Sequence, residues 1–173
     1  MEQLKHFKEQ LQNMRPESWE QIPDIALYMD QVISYMGRQH IGLEPAGDEN
    51  LTAAMINNYA KNGLLPRAKG KRYSREHLAY LTAICLLKQV LSVSETGTLL
   101  KKEMEHSDIH EFYDDYLQIL NSTFAETADR ICEEESEENL AHLALTMAVE
   151  SYAKMLACKK ILKEISPASE EKK

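Results

Sequence analysis

The stretch "MINNYAKNGLLPRAKGKRY", residues 55–73, combines a short helical pattern with a basic connection that contains a proline and two glycines. From position 57 to position 75 the chain holds six basic residues and no acidic one, although its formal net charge is −8. The segment 51–91 alone has a net charge of +6. A basic segment within an acidic chain predicts a fixed surface for an anionic partner.

The composition predicts one helical domain, or a small domain with an appendage. A chain of 173 residues can bury about 70% of its unfolded surface. Only six glycines and five prolines interrupt a sequence rich in good helix formers. No apolar run reaches the roughly 18 to 20 residues that cross a bilayer, and "MEQLKHFKEQ" lacks the apolar core of a signal peptide. We therefore expect a cytoplasmic protein without a membrane partner.

Hydrophobic periodicity predicts an all-α fold. Thr52 is a predicted N-cap, Gly63 fits the left-handed position after the helix, and Ser74, Ser94, Ser107 and Ser136 are predicted to begin later helices. The first predicted helix ends before Pro16. The later ones cover 24–37, 52–62, 74–91, a segment from Ser94, about 107–131 and 139–165. The predicted units are an N-terminal helix at 1–18, a region at 19–105 that presents the basic segment to its anionic partner, a C-terminal helical hairpin at 106–166 and a disordered tail at 167–173.

The two longest predicted helices carry more apolar surface than one antiparallel hairpin can cover. This excess predicts a homodimer through the hairpin, with the N-terminal helix as a possible addition. Segment 38–50, with two glycines and a proline, is predicted to be a loop, and "EEESEE" at 133–138 is predicted to separate the long helices.

A helical wheel divides residues 52–63 into two faces. Ile56 and Tyr59 lie on one side, while Asn57, Asn58 and Lys61 lie on the other. Asparagine is a poor helix former, but its amide can pair with adenine in the major groove. The pattern predicts a recognition helix whose base-contacting residues are Asn57, Asn58 and Lys61. Phosphate contacts are predicted for Arg67, Lys69, Lys71, Arg72 and Arg75.

Two plainer interpretations remain open. The helix and basic connection could serve only solubility. Alternatively, the chain could be a helical interaction module whose basic surface meets an acidic protein or its own acidic half. A steep salt dependence of DNA binding, with sequence preference, separates these interpretations from a DNA-binding regulator.

Residues 51–95 resemble the DNA-binding half of MerR-type winged-helix regulators. The matching positions are Ile56, Tyr59, Gly63, Leu64, Leu65, Pro66, Arg72, Tyr73, Leu78, Leu81, Ile84, Ser94 and Glu95. The family usually has Arg-Tyr where this chain has Asn57 and Asn58. The resemblance implies a helix-turn-helix, with residues 24–37 as its first helix and a small wing hairpin at 66–73, and double-stranded DNA as the partner.

Over about residues 20–165 the chain resembles more closely an uncharacterised bacterial group, domain of unknown function 1836. That resemblance implies the same MerR-like fold and no established activity.

Enzymatic patterns are weak. His106 and His110 are four residues apart, but the predicted N-cap at Ser107 would leave His106 outside the helix. No nucleophile or phosphate-loop motif occurs, and the three cysteines have no metal-binding spacing. We expect no enzyme activity, metal or cofactor. The aromatic positions of the long helix could line a pocket for an unknown small-molecule effector, but their spacing favours a core: Phe112, Tyr113, Tyr116 and Phe124.

Overall fold

A computed structural model describes residues 2–39, 51–132 and 136–166 of the chain. These residues form seven α-helices, with isolated β-bridges as the only extended pairing among them, so the all-α prediction is confirmed. The helices are α1 Glu2–Asn13, α2 Met29–Met36, α3 Ala53–Lys61, α4 Arg75–Leu87, α5 Val93–Glu103, α6 Ile109–Asp129 and α7 Glu137–Ile165. Most of the predicted loop 38–50, the first three residues of "EEESEE" and the predicted tail lie outside the described residues.

The main core lies between α2, α3, α4 and α6. Val32, Ile56, Leu81 and Tyr113 are completely buried there. The Tyr113 hydroxyl donates a 2.7 Å hydrogen bond to the Glu17 carbonyl, which ties the segment before α2 to α6. Since Tyr113 and its aromatic neighbours on α6 belong to this cluster, the core interpretation of the aromatic stripe fits the packing.

Three local predictions are confirmed. The Thr52 hydroxyl accepts a 3.2 Å hydrogen bond from the Met55 amide at the start of α3. Gly63 has φ +74°, a conformation that glycine adopts without steric cost, immediately after this helix. The Ser136 hydroxyl caps α7 by accepting from the Asn139 amide at 3.2 Å.

The predicted start of the helix at 24–37 is wrong, because the structure begins α2 at Met29. Leu27 instead forms a two-hydrogen-bond bridge with Tyr73, with N···O distances of 2.8 and 2.9 Å. Pairing with a distant segment therefore holds Leu27 extended, although the local apolar spacing also suits a helix.

Other predicted boundaries shift for local reasons. α4 ends at Leu87 rather than near residue 91. α5 is capped by Ser92, not Ser94, since Ser92 and Glu95 accept each other's amides in a reciprocal capping box. α6 is capped by Asp108, not Ser107, because the Asp108 carboxylate accepts amide hydrogen bonds at 2.9 and 3.0 Å.

The two long helices are present, but their main packing partners differ from those of the predicted hairpin. α6 packs against α1 and α4, whereas α7 packs against α5. Leu11 of α1 fills the site beside Ala128 and Ile131, so α1 covers the end of α6. An ion pair between Arg130 and Glu150 links the end of α6 to the middle of α7.

Leu162 should anchor α7 to the body of the protein. Its side chain is only 4% exposed, whereas the neighbouring Ile161 is 58% exposed. We expect Leu162→Ala to lower the free energy of unfolding by about 2–4 kcal/mol, because it removes buried methyl groups. Ile161→Ala, the matched control, should change it by less than about 0.5 kcal/mol. Urea denaturation followed by circular dichroism measures both, and equal effects would contradict the packing of α7 on α5.

Candidate nucleic-acid interface

α3 presents the side chains that the wheel predicts. Ile56 and Tyr59 are buried in the core, and Asn57, Asn58 and Lys61 are exposed. The Asn58 side-chain oxygen accepts a 2.9 Å hydrogen bond from the Asn62 amide group. Asn57 makes no comparable side-chain bond among the described residues, so its amide is available to a ligand.

The basic connection after α3 forms a minimal hairpin. Gly70 and Lys71 are its two central residues, and both have positive φ, 57° and 59°, as in a type I′ turn. The Arg72 amide donates to the Lys69 carbonyl at 3.1 Å and closes the turn. A left-handed conformation costs a non-glycine residue roughly 1–2 kcal/mol, so the Lys71 conformation depends on the hairpin around it.

Two contacts fix this hairpin to the segment before α2. The backbone bridge between Leu27 and Tyr73 lies at its base. Beside that bridge, the Arg72 guanidinium lies 4.7 Å from the centre of the Tyr28 ring and donates a 2.7 Å hydrogen bond to the Tyr28 hydroxyl. The cation–π contact holds the Arg72 charge at the surface in a defined position.

Between α3 and the hairpin lies a groove of about 530 Å³, called here the basic groove. Four of the predicted DNA-contact residues meet in its lining: Asn57, Lys61, Arg67 and Lys71. The other lining residues are Met29, Ala60, Ala68 and Tyr73, so no carboxylate lines it. The site therefore combines one free amide with three positive charges.

Four predicted contact residues lie outside the groove lining. Asn58, Lys69 and Arg72 are exposed near it, on α3 and on the hairpin. Arg75 is different: its Nε donates to the Ile22 carbonyl at 3.1 Å, and its guanidinium lies 5.7 Å from the Trp19 ring centre. These contacts commit Arg75 to the packing of the N-terminal segment.

Sequence reasoning missed Tyr28 and Met29 as neighbours of the site. Both precede or begin α2, far in sequence from residues 57–72. The apolar spacing of this segment gave no sign that it approaches the hairpin. The pairing of Leu27 with Tyr73 and the contact of Arg72 with Tyr28 bring it there.

His77 is a buried titratable group behind the hairpin. Its Nδ1 accepts a 3.0 Å hydrogen bond from the Ser74 amide, which requires that nitrogen to carry no proton. Burial lowers the pKa of His77, and the nearby backbone of Arg67 and Pro66 partly opposes this effect. Within the part of the chain that the structure describes, Nε2 makes no hydrogen bond of ordinary length. A neutral imidazole therefore suits this position, and protonation would break the cap of α4.

The structure gives no support to the metal alternative. His106 precedes the Asp108 cap and lies outside α6, while His110 stacks on Trp19 with ring centres 4.5 Å apart. Among residues 2–39, 51–132 and 136–166, no three His, Cys, Asp or Glu side chains are grouped so that they could hold a metal ion.

No helix in the described part of the chain combines the length and apolar character needed to span a bilayer.

The fold and the site together define a class: a helical domain that presents a carboxylate-free basic groove beside an exposed short helix. The chain belongs to the family described as Domain of unknown function (DUF1836), whose model matches residues 17–116. The match includes all of α2 to α5 and the basic groove. No curated protein and no solved structure matches the chain.

The buried His77 should make stability depend on pH. Because its pKa is lower in the folded protein than in the unfolded chain, where it is near 6.5, the unfolded chain binds protons first as the pH falls. Its contribution to stability is complete above about pH 6.5 and declines below that value. We expect the melting temperature to fall between pH 7.5 and 5.5, over a range in which most carboxylates remain ionised (roughly above pH 5).

His77→Asn keeps an acceptor for the Ser74 amide and should reduce that pH dependence. His142→Asn, which changes an exposed imidazole, is the matched control. If both variants keep the full wild-type dependence in thermal denaturation, His77 is not the titrating group.

Proposed function

We propose that the protein is a non-enzymatic transcriptional regulator that binds double-stranded DNA through a MerR-like winged helix-turn-helix. In this proposal α2 and α3 are the two helices of the motif, and the connection at residues 66–73, which contains the hairpin turn at 69–72, is the wing. The observation that carries the proposal is the basic groove, where an exposed amide and three cations meet without a carboxylate. Such a role would place the protein in the cytoplasm.

The electrostatics of the groove suit a polyanion. Lys61, Arg67 and Lys71 have no ion-pair partner among the described residues, so no acidic residue of that part of the chain neutralises their charge. The acidic segments before and after repel a phosphate backbone and confine its approach to this face. Each phosphate that a lysine or arginine neutralises releases counterions, which makes binding strongly dependent on salt.

The geometry also supports a division of roles. α3 is exposed on the face that carries Asn57 and Lys61, and a major groove about 12 Å wide admits one helix. Asn57 is the stronger candidate for base contact, because the Asn58 oxygen already accepts from Asn62. Arg67, Lys69, Lys71 and Arg72 follow in the wing, where they suit phosphate contacts.

The alternative is a helical interaction module whose basic surface binds an acidic protein. The same groove charges would serve it, so composition cannot separate the two proposals. The exposed amide of Asn57 favours DNA, because a purely electrostatic surface gains nothing from an asparagine at that position.

Variants of the groove should separate base contact from phosphate contact. A duplex selected from a random library against the wild-type protein serves as the specific site, and a shuffled duplex serves as the control. Asn57→Ala should weaken the preference for the selected duplex by about 1–3 kcal/mol and leave binding to shuffled DNA nearly unchanged. Lys71→Gln should weaken binding to both duplexes. It should also reduce the slope of the logarithm of the binding constant against the logarithm of the salt concentration by about one.

Fluorescence anisotropy at several salt concentrations measures these effects, with Lys5→Gln on the distant α1 as the control variant. Absence of binding to any duplex at low salt would remove the regulator proposal in favour of the interaction module. Identical behaviour of the Asn57 and Lys71 variants would show that the binding is purely electrostatic, without base contact by Asn57.

The proposed regulator acts as a homodimer, and the support for this lies in α7. Four large apolar side chains on this helix are between 49% and 62% exposed: Leu145, Val149, Tyr152 and Leu156. Their spacing of four, three and four residues forms one narrow stripe, as in a coiled-coil seam. A second copy can cover this stripe, and a twofold axis would match a palindromic DNA site.

The charges at the ends of the stripe favour an antiparallel pair. Glu138 continues the stripe at its N-terminal end and Lys163 at its C-terminal end. If Leu145 of one copy faces Leu156 of the other, the same register places Glu138 opposite Lys163. A parallel pair would place like charges opposite each other at both ends.

Val149→Asp should therefore convert the dimer to a monomer at micromolar concentration, because it buries a carboxylate in the seam. Glu138→Lys and Lys163→Glu should each weaken the dimer, and the double variant should recover part of the loss. Analytical ultracentrifugation measures the association of the wild type and of all four variants. A monomeric wild-type protein would contradict this arrangement. So would a double variant that dimerises more weakly than either single variant.

A further inference from the structure

A second and larger groove, of about 1,230 Å³, lies between α5 and the connection that follows α3, and is called here the α5 groove. The groove is deep because the α5 residues along this part of its lining are small: Ser94, Gly97 and Thr98. Gly97 allows the close packing, since a Cβ at this position would lie 3.3 Å from the Leu64 Cδ1 atom. Val93, Pro66 and Met104 add apolar surface to its walls.

The charge of the α5 groove is unusual for this chain. Lys61, Arg67, Lys101 and Lys102 line it, and its lining contains no carboxylate, whereas the whole protein has a net charge of −8. Lys102 forms an ion pair with Glu105 at 2.9 Å. The other three bases have no ion-pair partner in the part of the chain that the structure describes. An anionic ligand is therefore complementary to this groove.

The shape favours a macromolecular segment over a small molecule. Lys61, Pro66, Val93 and Lys101 are all exposed, so the rim is open to solvent. Small-molecule sites enclose most of their ligand and usually have volumes of about 300–1,000 Å³. From Val93 to Met104, α5 rises about 16 Å, which matches three turns of a docked helix.

We propose that the α5 groove docks an acidic amphipathic helix of a partner protein. Its apolar side chains, repeating every three or four residues, lie along Val93, Gly97 and Met104. Its carboxylates meet Lys61 and Arg67 on one wall and Lys101 on the other. The docking does not require that the protein binds DNA, since Val93, Gly97, Lys101 and Met104 of the groove are not among the predicted DNA-contact residues.

One consequence rests on the proposed DNA-binding function. Lys61 and Arg67 line both the basic groove and the α5 groove. A bound acidic helix takes up two charges that the phosphates would use. The partner helix and DNA therefore compete, and the partner releases the protein from DNA.

The test uses a fluorescein-labelled synthetic helix of about 12 residues with leucines at i, i+3, i+4 and i+7 and glutamates on both flanks. Anisotropy on the full chain should show saturable binding. Val93→Asp should weaken it by about tenfold or more, because it places a carboxylate in the apolar wall. An acid in the first turn of α5 is compatible with the helix. Lys101→Gln should weaken binding severalfold.

Matched controls separate the groove from the general surface. Val90→Asp changes another exposed valine, 55% exposed against 38% for Val93, that lies outside the lining. Lys5→Gln removes a distant charge. Both variants should bind the peptide like the wild type. A peptide with lysine in place of glutamate should not bind.

The proposal fails if the acidic peptide does not bind, if the acidic and basic peptides bind equally, or if Val93→Asp behaves like Val90→Asp. It also fails if Lys101→Gln weakens binding to duplex DNA as Lys71→Gln does but leaves binding to the peptide unchanged. The α5 groove would then belong to the DNA-binding surface. Peptide binding without any DNA binding would support docking at the α5 groove and contradict only the proposal that the protein is a DNA-binding regulator.

Discussion

The backbone pair between Leu27 and Tyr73 is the constraint on which the rest of the site depends. Two hydrogen bonds of 2.8 and 2.9 Å join residues 46 positions apart. The pair ends the extended segment just before α2 and begins the connection into α4, so it fixes both helices relative to the hairpin. Arg72 and Tyr28, its immediate neighbours, meet in the cation–π contact. Together, the backbone pair and the Arg72–Tyr28 contact fix the hairpin that carries Lys71 to the segment before α2.

The distribution of charge makes the surface of this scaffold beside α3 complementary to an anion. The chain carries 28 acidic residues, yet neither groove beside α3 is lined by a single carboxylate. A random distribution would place acids in both linings and neutralise the lysines by local pairing. Acidic residues elsewhere instead cap helices: Asp108 is the N-cap of α6, and Glu95 completes the capping box of α5. The same positive rim, with an amide on one side and an apolar wall on the other, suits two kinds of anionic partner.

The sequence predicted what depends on neighbours in the chain and failed where distant contacts decide. Thr52, Gly63 and Ser136 end or begin helices through hydrogen bonds or φ angles within a few residues, so their roles could be read directly. The outward position of Asn57 follows from helical periodicity alone. Choosing Ser94 over Ser92 failed because several serines and acids compete within one turn, and only the Glu95 reciprocal bond decides between them.

Tertiary packing explains the remaining differences. Leu27 has a helical spacing but pairs with Tyr73, and α6 is covered by α1 as well as α4 because Leu11 reaches Ala128 and Ile131. The sequence predicts the exposed stripe of α7 only as an excess of apolar surface, without the terminal charges that are proposed to orient a second copy. Binding roles for the groove residues stay predictions, since geometry gives their position and not their ligand.

The most direct test of the central claim is the ¹H–¹⁵N spectrum of the protein during titration with a duplex of about 20 base pairs at low salt. The account predicts shifts concentrated on α3 and the hairpin, including the Asn57 side-chain amide, and their loss as salt rises. Unchanged spectra, or shifts spread over the acidic α6 and α7 with none at Asn57 and Lys71, would contradict it.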